Sequence, residues 1–145
     1  RLYATEVFPK PGAVEFLQYM KDRGVFLGIA TSNNREIAEA ALNARGLSCY
    51  FDSVRTSCEV AAGKPAPDVY LKGAEDLGVD PGTCLVFEDV PNGILAGKNA
   101  GMEVCAVDDE FSRPLETEKK RLADYFIHDF NDIFRHTYER CGNRT

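Results

Sequence analysis

Short apolar runs alternate with longer stretches of helical periodicity along the chain, and this alternation limits the possible folds more than any other feature. Three runs, residues 25–30, 84–87 and 103–107, are almost continuously apolar, which is typical of strands covered on both faces. Turn-forming residues separate these runs from the helical stretches. Strands that are joined through helices pair in parallel by right-handed crossovers. The sequence therefore predicts an α/β protein with a mainly parallel sheet.

Apolar spacing and turn residues give approximate bounds for each element. The predicted helices cover residues 11–22, 33–44, 67–77, 91–100, 115–122 and 131–139. The predicted strands cover residues 25–30, 53–57, 84–87, 103–107 and 124–127. Asn33 with Glu36 predicts a capping box at the start of the second helix. No repeat, low-complexity segment or long linker interrupts the pattern, so the 145 residues are predicted to form one domain.

Composition and charge exclude several classes of protein. The chain is 44% hydrophobic and 28% charged, as is usual for a globular domain, and it has no apolar run long enough to cross a membrane. Residues 1–6 lack the apolar stretch of a secretory signal. A net charge of −6 argues against nucleic acid as a partner, because phosphate backbones attract basic surfaces. The same charge means that any phosphate site needs local cations or a metal ion.

The five cysteines are odd in number and scattered. No Cys-x-x-Cys pair is present, so neither a zinc site nor a disulfide framework is indicated. Cys84 and Cys105 lie in apolar runs, where a thiol behaves as a small hydrophobic group. We expect these two to be buried and reduced, which favours a cytoplasmic location.

Polar residues follow three of the predicted strands or their loops, and ligands of open parallel sheets bind beyond the carboxyl ends of the strands. The first group is Thr31-Ser32-Asn33, between an apolar strand and a helix. Its hydroxyls and free backbone N–H groups could bind phosphate oxygens at the positive end of the helix dipole. Ordinary helix capping would explain the same residue types. The residues alone leave both interpretations open.

The second group is Gly63-Lys64-Pro65-Ala66-Pro67-Asp68. Two prolines restrict the backbone after Lys64, which would hold its ammonium group in one place. A fixed cation there could neutralise charge on a transferring phosphoryl group. An isolated loop lysine is usually only a solvated charge, so the motif carries the argument and the lysine alone does not.

The third group is Glu88-Asp89, directly after the apolar run 84–87. Adjacent carboxylates at a strand end are costly unless a cation joins them. One or two carboxylates, with waters and substrate phosphate, are the usual protein ligands of Mg²⁺. The alternative is that Asp89 caps the helix that starts near Pro91. The small residues Gly93 and Gly97 would let this helix pack closely on the sheet.

Together the three groups resemble the haloacid dehalogenase-like hydrolases, in particular the branch of β-phosphoglucomutase-like enzymes and sugar-phosphate phosphatases. The specific stretches are residues 31–33, 63–68, 86–94 and 100–102. The resemblance implies a Rossmann-like three-layer α/β/α core and Mg²⁺ as cofactor. It also implies a small phosphorylated substrate, with no nucleic acid and no membrane as partner. The implied roles are phosphate binding for Thr31, Ser32, Asn33 and Lys64, catalysis for Lys64 and Thr31, and metal binding for Glu88 and Asp89.

One required part of that family is missing. Its nucleophilic aspartate belongs to an Asp-x-Asp motif after an N-terminal strand, whereas Asp108-Asp109 and the acidic residues of 129–132 come too late. Residues 1–8 resemble the end of the inserted helical cap that follows this strand. We therefore expect residues 1–145 to be the C-terminal part of the core domain of a longer protein, without the cap and the first strand, and inactive alone.

Three functions fit these observations. The first is a Mg²⁺-dependent phosphatase of sugar phosphates or similar metabolites, acting through an aspartyl-phosphate whose nucleophile lies outside this chain. The second is a β-phosphoglucomutase-type phosphotransferase, a choice that depends on the absent cap. The third is a non-catalytic phosphate-binding module. The charged segment 112–121 follows a strand end and could border the cleft, although such helices are usually solvated.

The missing strand would be central, between the strands near residues 25–30 and 84–87. Its absence would leave two strand edges about 10 Å apart. Each unpaired buried backbone group costs about 1–3 kcal/mol, so the gap cannot stay open. We expect either that an N-terminal fragment or a second chain completes the sheet, or that the two strands close onto each other.

Overall fold

The computed structural model describes residues 2–4 and 10–141 of the chain. The helices in this part are α1 (Ala13–Asp22), α2 (Arg35–Ala44), α3 (Asp68–Leu77), α4 (Pro91–Asn99), α5 (Glu116–Leu122) and α6 (Asn131–Arg135). The strands are β1 (Leu2–Ala4), β2 (Leu27–Thr31), β3 (Ser53–Thr56), β4 (Leu85–Glu88), β5 (Glu103–Val107), β6 (Tyr125–Ile127) and β7 (Glu139–Arg140).

All these strands belong to one sheet in the order β3-β2-β1-β4-β5-β6-β7. Every pairing is parallel except that of β7, which runs antiparallel to β6. The predicted α/β class with a mainly parallel sheet is confirmed. Because β2 and β4 both end at the same edge of the sheet, the polar residues that follow them are brought to one side of the molecule.

The centre of the sheet is closed by the chain itself. Leu2–Ala4 pairs with Leu27–Ile29 of β2 on one side and with Leu85–Phe87 of β4 on the other. The expectation of a missing central strand is therefore wrong in one respect, since neither a second chain nor a rearranged sheet fills the gap. The backbone groups of the two inner strand edges need partners, and this short strand supplies them. The remainder of residues 1–8, expected to resemble the end of a cap, lies outside the described residues.

Side chains of the inner strands alternate between two cores, one on each face of the sheet. On one face, Phe87, Cys105 and Ile127 pack with residues of α1. On the other face, the core is formed by the following buried residues of the sheet and of α3 and α4: Val86, Val104, Ala106, Val69, Tyr70, Ala74, Ile94 and Ala96. This arrangement is the three-layer α/β/α sandwich. β2 is buried along its whole length, as its apolar run predicts.

The last predicted helix is too long. α6 ends at Arg135, because His136 adopts a left-handed backbone conformation with φ of 58°. The Thr137 side chain then bonds that of Asp132 at 2.7 Å, which fixes the turn. The chain continues into β7 where the sequence pattern predicts more helix. Only the short edge strand at residues 139–140 was absent from the sequence-based prediction at this end of the sheet.

The cysteines among the described residues form no disulfide. Cys84 and Cys105 are buried, as predicted, and burial raises the pKa of the Cys105 thiol far above its usual value. Both are therefore inert core residues. None of the helices in residues 10–141 combines the length and apolar character needed to cross a membrane.

Candidate active site

A polar cleft lies at the carboxyl ends of β2, β4 and β5. Its volume is about 580 Å³. Five residues singled out by the sequence line it: Thr31, Ser32, Lys64, Glu88 and Asp89. The remaining lining residues are Val90, Asn92, Gly93, Asp109 and Phe111. Five of the six predicted site residues, all but Asn33, therefore lie in one cleft at the strand ends.

Lys64 and Glu88 form a buried ion pair at the floor of the cleft. The Lys64 Nζ lies 2.6 Å from Glu88 Oε2, and the side chains are only 8% and 1% exposed. The Tyr70 hydroxyl donates to the same oxygen at 2.6 Å, and Lys64 also donates to the carbonyl oxygen of Ala30 at 3.2 Å. Lys64 is therefore fixed between the end of β2 and the end of β4, and it is not a solvated loop cation.

Gly93 makes room for this pair. A Cβ atom at Gly93 would overlap the Glu88 carboxylate, so only glycine lets the first turn of α4 pass so close to it. Four residues later, a Cβ at Gly97 would lie 2.6 Å from Val104 Cγ2. The small residues of α4 therefore permit the close packing of helix on sheet that the sequence predicts.

The loop after β2 holds Thr31 at the cleft. Thr31 is buried, and its Oγ1 accepts the backbone N–H of Asn33 at 3.1 Å. Asn34, and not Asn33, caps α2, since its side chain accepts from the backbone of Ile37 at 2.8 Å. The N-cap is therefore one residue later than predicted, and because Ile37 stands three residues after it, the predicted capping box with Glu36 is wrong. Asn33 does not line the cleft, so its position gives no support to a direct contact with phosphate.

Asp89 lies close to other carboxylates in the cleft. Burial, followed by the nearby Glu88 and Asp109 carboxylates, raises the pKa of Asp89 from its usual 3.8 to about 6. The Lys10 side chain pairs with Asp109 at 2.8 Å, which lowers the pKa of Asp109. The raised pKa marks Asp89 as the carboxylate of this cleft that would gain most from a bound cation.

This raised pKa predicts how stability depends on pH. Between about pH 4 and pH 6 the folded state binds a proton at Asp89 that the unfolded state has lost, so stability falls as pH rises through this window. Full ionisation of Asp89 should cost about 2–3 kcal/mol above pH 6. We expect Asp89→Asn, which cannot ionise, to be more stable than the wild type at pH 7.5. Urea unfolding between pH 4 and pH 8 measures the difference.

The exposed Asp22 offers a matched control, because Asp22→Asn removes a carboxylate that lies outside the cleft. Its unfolding free energy should follow the wild-type pH profile. If the unfolding free energy changed with pH in the same way in the wild type and in Asp89→Asn, ionisation of Asp89 would not destabilise the folded protein, and the prediction would be wrong.

The cleft offers oxygen ligands that suit a hard cation, but only part of a full set. No group of three or more acidic, histidine or cysteine side chains within residues 2–4 and 10–141 is arranged to hold a metal ion. Asp89 and Glu88 supply two carboxylates, and Glu88 already accepts from Lys64 and Tyr70. Mg²⁺ commonly uses one or two carboxylates and completes its shell with water and substrate phosphate. The residues therefore fit a magnesium ion that is shared with a phosphorylated ligand.

Sequence reasoning missed several residues of the site. Tyr70 lies on the buried face of α3, where a tyrosine needs a partner for its hydroxyl, and this was the available signal. Burial, and then Glu88, raises the pKa of Tyr70 well above its usual value, so the hydroxyl stays protonated and donates a hydrogen bond. Asp109 was set aside as too late in the chain, although β5 ends beside β4 and brings it to the cleft. Asn92 lies in the stretch 86–94 that carries the family resemblance but was given no role, and nothing in the sequence pattern singles out Phe111.

A second cavity, of about 410 Å³, lies between α1 and the strands β4, β5 and β6. It is lined mainly by apolar side chains, among them Phe16, Met20 and Tyr138. It has no pair of carboxylates and no cation, so the chemistry of the molecule is assigned to the polar cleft.

The comparison with known families agrees with this geometry. A sequence model described as haloacid dehalogenase-like hydrolase matches residues 1–101. The chain belongs to the haloacid dehalogenase-like hydrolase family. Hexitol phosphatase A of Escherichia coli is 37% identical to it over 123 residues, which cover 85% of this chain and 55% of that protein. The bifunctional riboflavin kinase/FMN phosphatase of Arabidopsis thaliana is 37% identical over 85% of this chain and 32% of its own length.

Solved structures of haloacid dehalogenase-like proteins share the fold. CbbY from Rhodobacter sphaeroides in complex with phosphate matches with a TM-score of 0.78 at 28% identity, over 86% of this chain and 55% of that one. The chain spans about half the length of most of the curated relatives it matches. The Rossmann-like core is therefore shown, while activity, substrate and cofactor are matters for proposal.

Proposed function

We propose that this chain supplies the phosphate-binding and metal-binding part of a Mg²⁺-dependent phosphatase of small phosphorylated metabolites, such as sugar phosphates. The observation that carries the proposal is the convergence of a fixed cation, Lys64, and two carboxylates, Glu88 and Asp89, in one cleft at adjacent strand ends. The negative charge around Asp89 supports a divalent cation there. The proposal treats residues 1–145 as one core domain.

Each residue has a defined task in this proposal. Lys64, held by Glu88, binds a phosphoryl oxygen and offsets its charge. The hydroxyls of Thr31 and Ser32 donate to the other oxygens at the end of β2. Asp89, with Glu88, holds Mg²⁺, which when bound would stabilise the charge that develops on the phosphoryl group. The backbone N–H of Asn33 donates to the Thr31 hydroxyl oxygen and so helps to orient Thr31.

The nucleophile of this proposal lies outside the chain. The central strand β1 ends at Ala4 and is followed by Thr5 and Glu6, with no aspartate in the position that the family uses. A segment that carried the aspartate would compete with Leu2–Ala4 for the place between β2 and β4. A separate segment or second chain as partner remains part of the proposal, on the condition that it displaces Leu2–Ala4 from this place. The cytoplasmic location predicted from the cysteines also remains part of it.

Hydrolysis is favoured over transfer to a sugar because named relatives are phosphatases. Hexitol phosphatase A is one, and fructose-1-phosphate phosphatase YqaB of Escherichia coli, 45% identical over 57% of this chain, is another. A β-phosphoglucomutase from Clostridium difficile shares the fold at 25% identity, with a TM-score of 0.73. The mutase alternative predicts transfer of the phosphoryl group to a sugar hydroxyl with little free phosphate released.

Binding of inorganic phosphate tests the cleft without any need for turnover. Titration calorimetry with the wild-type chain should show phosphate binding that depends on Mg²⁺. Lys64→Met and Asp89→Asn should each weaken it by at least tenfold, whereas Lys72→Met, which removes an exposed lysine of α3, should leave it unchanged. Equal phosphate affinity with and without Mg²⁺ would contradict the proposed metal site.

Turnover tests the placement of the nucleophile. The chain alone should not hydrolyse an aryl phosphate, with or without Mg²⁺. Co-expression with a separate N-terminal fragment that bears the aspartate should produce Mg²⁺-dependent hydrolysis. Hydrolysis by the chain alone, with its mass verified, would place the nucleophile among the carboxylates of the cleft itself.

A further inference from the structure

A buried lysine lies beneath the metal-binding side of the cleft. Lys119, on α5, has no exposed surface, although its neighbours in the sequence are charged and such helices are usually solvated. Its Nζ donates to the carbonyl oxygen of Val107, the last residue of β5, at 2.6 Å. It also donates to the Ser112 Oγ at 2.8 Å. No acidic side chain among residues 10–141 pairs with Lys119 within 4.0 Å.

Ser112 connects this lysine to the cleft. The buried Ser112 hydroxyl accepts from Lys119 and donates to the backbone carbonyl oxygen of Asp89 at 2.7 Å. One hydroxyl therefore joins the loop after β5 to the loop after β4. Asp109, which lines the cleft, belongs to the same loop after β5, and its carbonyl oxygen accepts the backbone N–H of Ser112 at 3.1 Å.

A buried cation that has no acidic partner within ion-pair distance destabilises the fold, so stability does not explain its presence. Burial lowers the pKa of Lys119, while Asp89, Asp108 and Asp109 act against this effect. An apolar side chain of similar length would fill the same space without the desolvation cost of the charge. The lysine therefore suggests a role beyond packing, and two of the carboxylates that attract it, Asp89 and Asp109, line the cleft of the proposed metal site.

We infer that Lys119, through Ser112, is a positioning residue that fixes Asp89 for metal binding. The inference rests on the proposed function and assigns it two further residues. The Lys119 ammonium polarises the Ser112 hydroxyl, which holds the Asp89 carbonyl and so sets the direction in which the Asp89 side chain leaves the backbone. Groups that hold a metal ligand in this way commonly change metal affinity by about 10–100-fold when removed.

The experiment measures Mn²⁺ binding from the electron paramagnetic resonance signal of free Mn²⁺, and amide hydrogen exchange without metal. Ser112→Ala and Lys119→Met should each weaken Mn²⁺ binding about tenfold. Both should speed exchange in peptides that cover residues 89–94 and 108–115. Ser112→Thr, which keeps the hydroxyl, should restore both properties. Lys120→Met is the matched control, since Lys120 is adjacent but pairs with Glu116 and Glu139 and lies over the Phe126 ring, away from the contacts of Ser112.

The outcomes separate this inference from the proposed function. If Ser112→Ala folds and binds Mn²⁺ as tightly as the wild type, the positioning role is wrong although the metal site stands. If the wild type binds no Mn²⁺, the proposed metal site fails, and the metal part of the inference fails with it. Hydrogen exchange then still decides whether Lys119 holds the two loops together. Ser112→Ala is sufficient for this decision, because it removes the same connection as Lys119→Met with a smaller change of volume.

Discussion

Gly93→Ala should destabilise the protein by about 3 kcal/mol or more, although alanine is the better helix former by about 1 kcal/mol. The added Cβ would overlap the Glu88 carboxylate, which has nowhere to move because it is buried against Lys64 and Tyr70. Either Glu88 must shift, which breaks its ion pair with Lys64, or the start of α4 must shift, which disrupts the close packing of this helix on the sheet. Urea unfolding gives the loss of stability, and calorimetry should show that phosphate binding is lost.

Gly97→Ala is the matched control in the same helix. Its Cβ would meet Val104 and Val86 and no charged group, so stability should also fall. Phosphate affinity should nevertheless stay within about twofold of the wild type under conditions where both proteins are folded, since the ion pair is untouched. Wild-type stability in Gly93→Ala would mean that α4 can move away from Glu88 without cost.

The strands and helices that the sequence predicts correctly are those whose pattern reflects burial. The apolar run before Thr31 and the run 103–107 are strands because both of their faces are covered. β1 could not be predicted in this way. Leu2-Tyr3-Ala4 has no pattern of its own, and only the two strand edges on either side make it a strand. The left-handed His136, which ends α6, is likewise a backbone choice that spacing does not reveal.

Among the site residues, too, the sequence pattern reveals some, whereas others depend on the tertiary structure. Thr31, Lys64, Glu88 and Asp89 could be predicted because each follows a strand or lies in a distinctive motif near a strand end. Lys119 could not, because a lysine in the run Glu-Lys-Lys-Arg is typical of a solvated helix face. Its burial depends on the path of α5 over the loop after β5, which is a property of the tertiary structure.

Substitution of one partner of the Lys64–Glu88 ion pair should also lower the stability strongly. Lys64→Met leaves the Glu88 carboxylate buried with the Tyr70 hydroxyl but without its cation, and removal of one partner of a buried pair costs about 3–5 kcal/mol. Glu88→Gln should cost less, since its amide oxygen can still accept from Tyr70 and from Lys64. Both single variants should lose phosphate binding.

The double variant decides whether the pair serves stability or binding. In Lys64→Met/Glu88→Gln no buried charge remains at this position, so the protein should be more stable than Lys64→Met alone, with a coupling energy of about 2 kcal/mol. The exposed pair of Lys72 and Glu75 provides the control cycle, in which Lys72→Met and Glu75→Gln should couple by less than about 0.5 kcal/mol. Additive losses at Lys64 and Glu88 would show that their contact is not a coupled ion pair. A double variant that is stable but binds no phosphate would instead indicate that the buried charge is retained for the ligand and not for the fold.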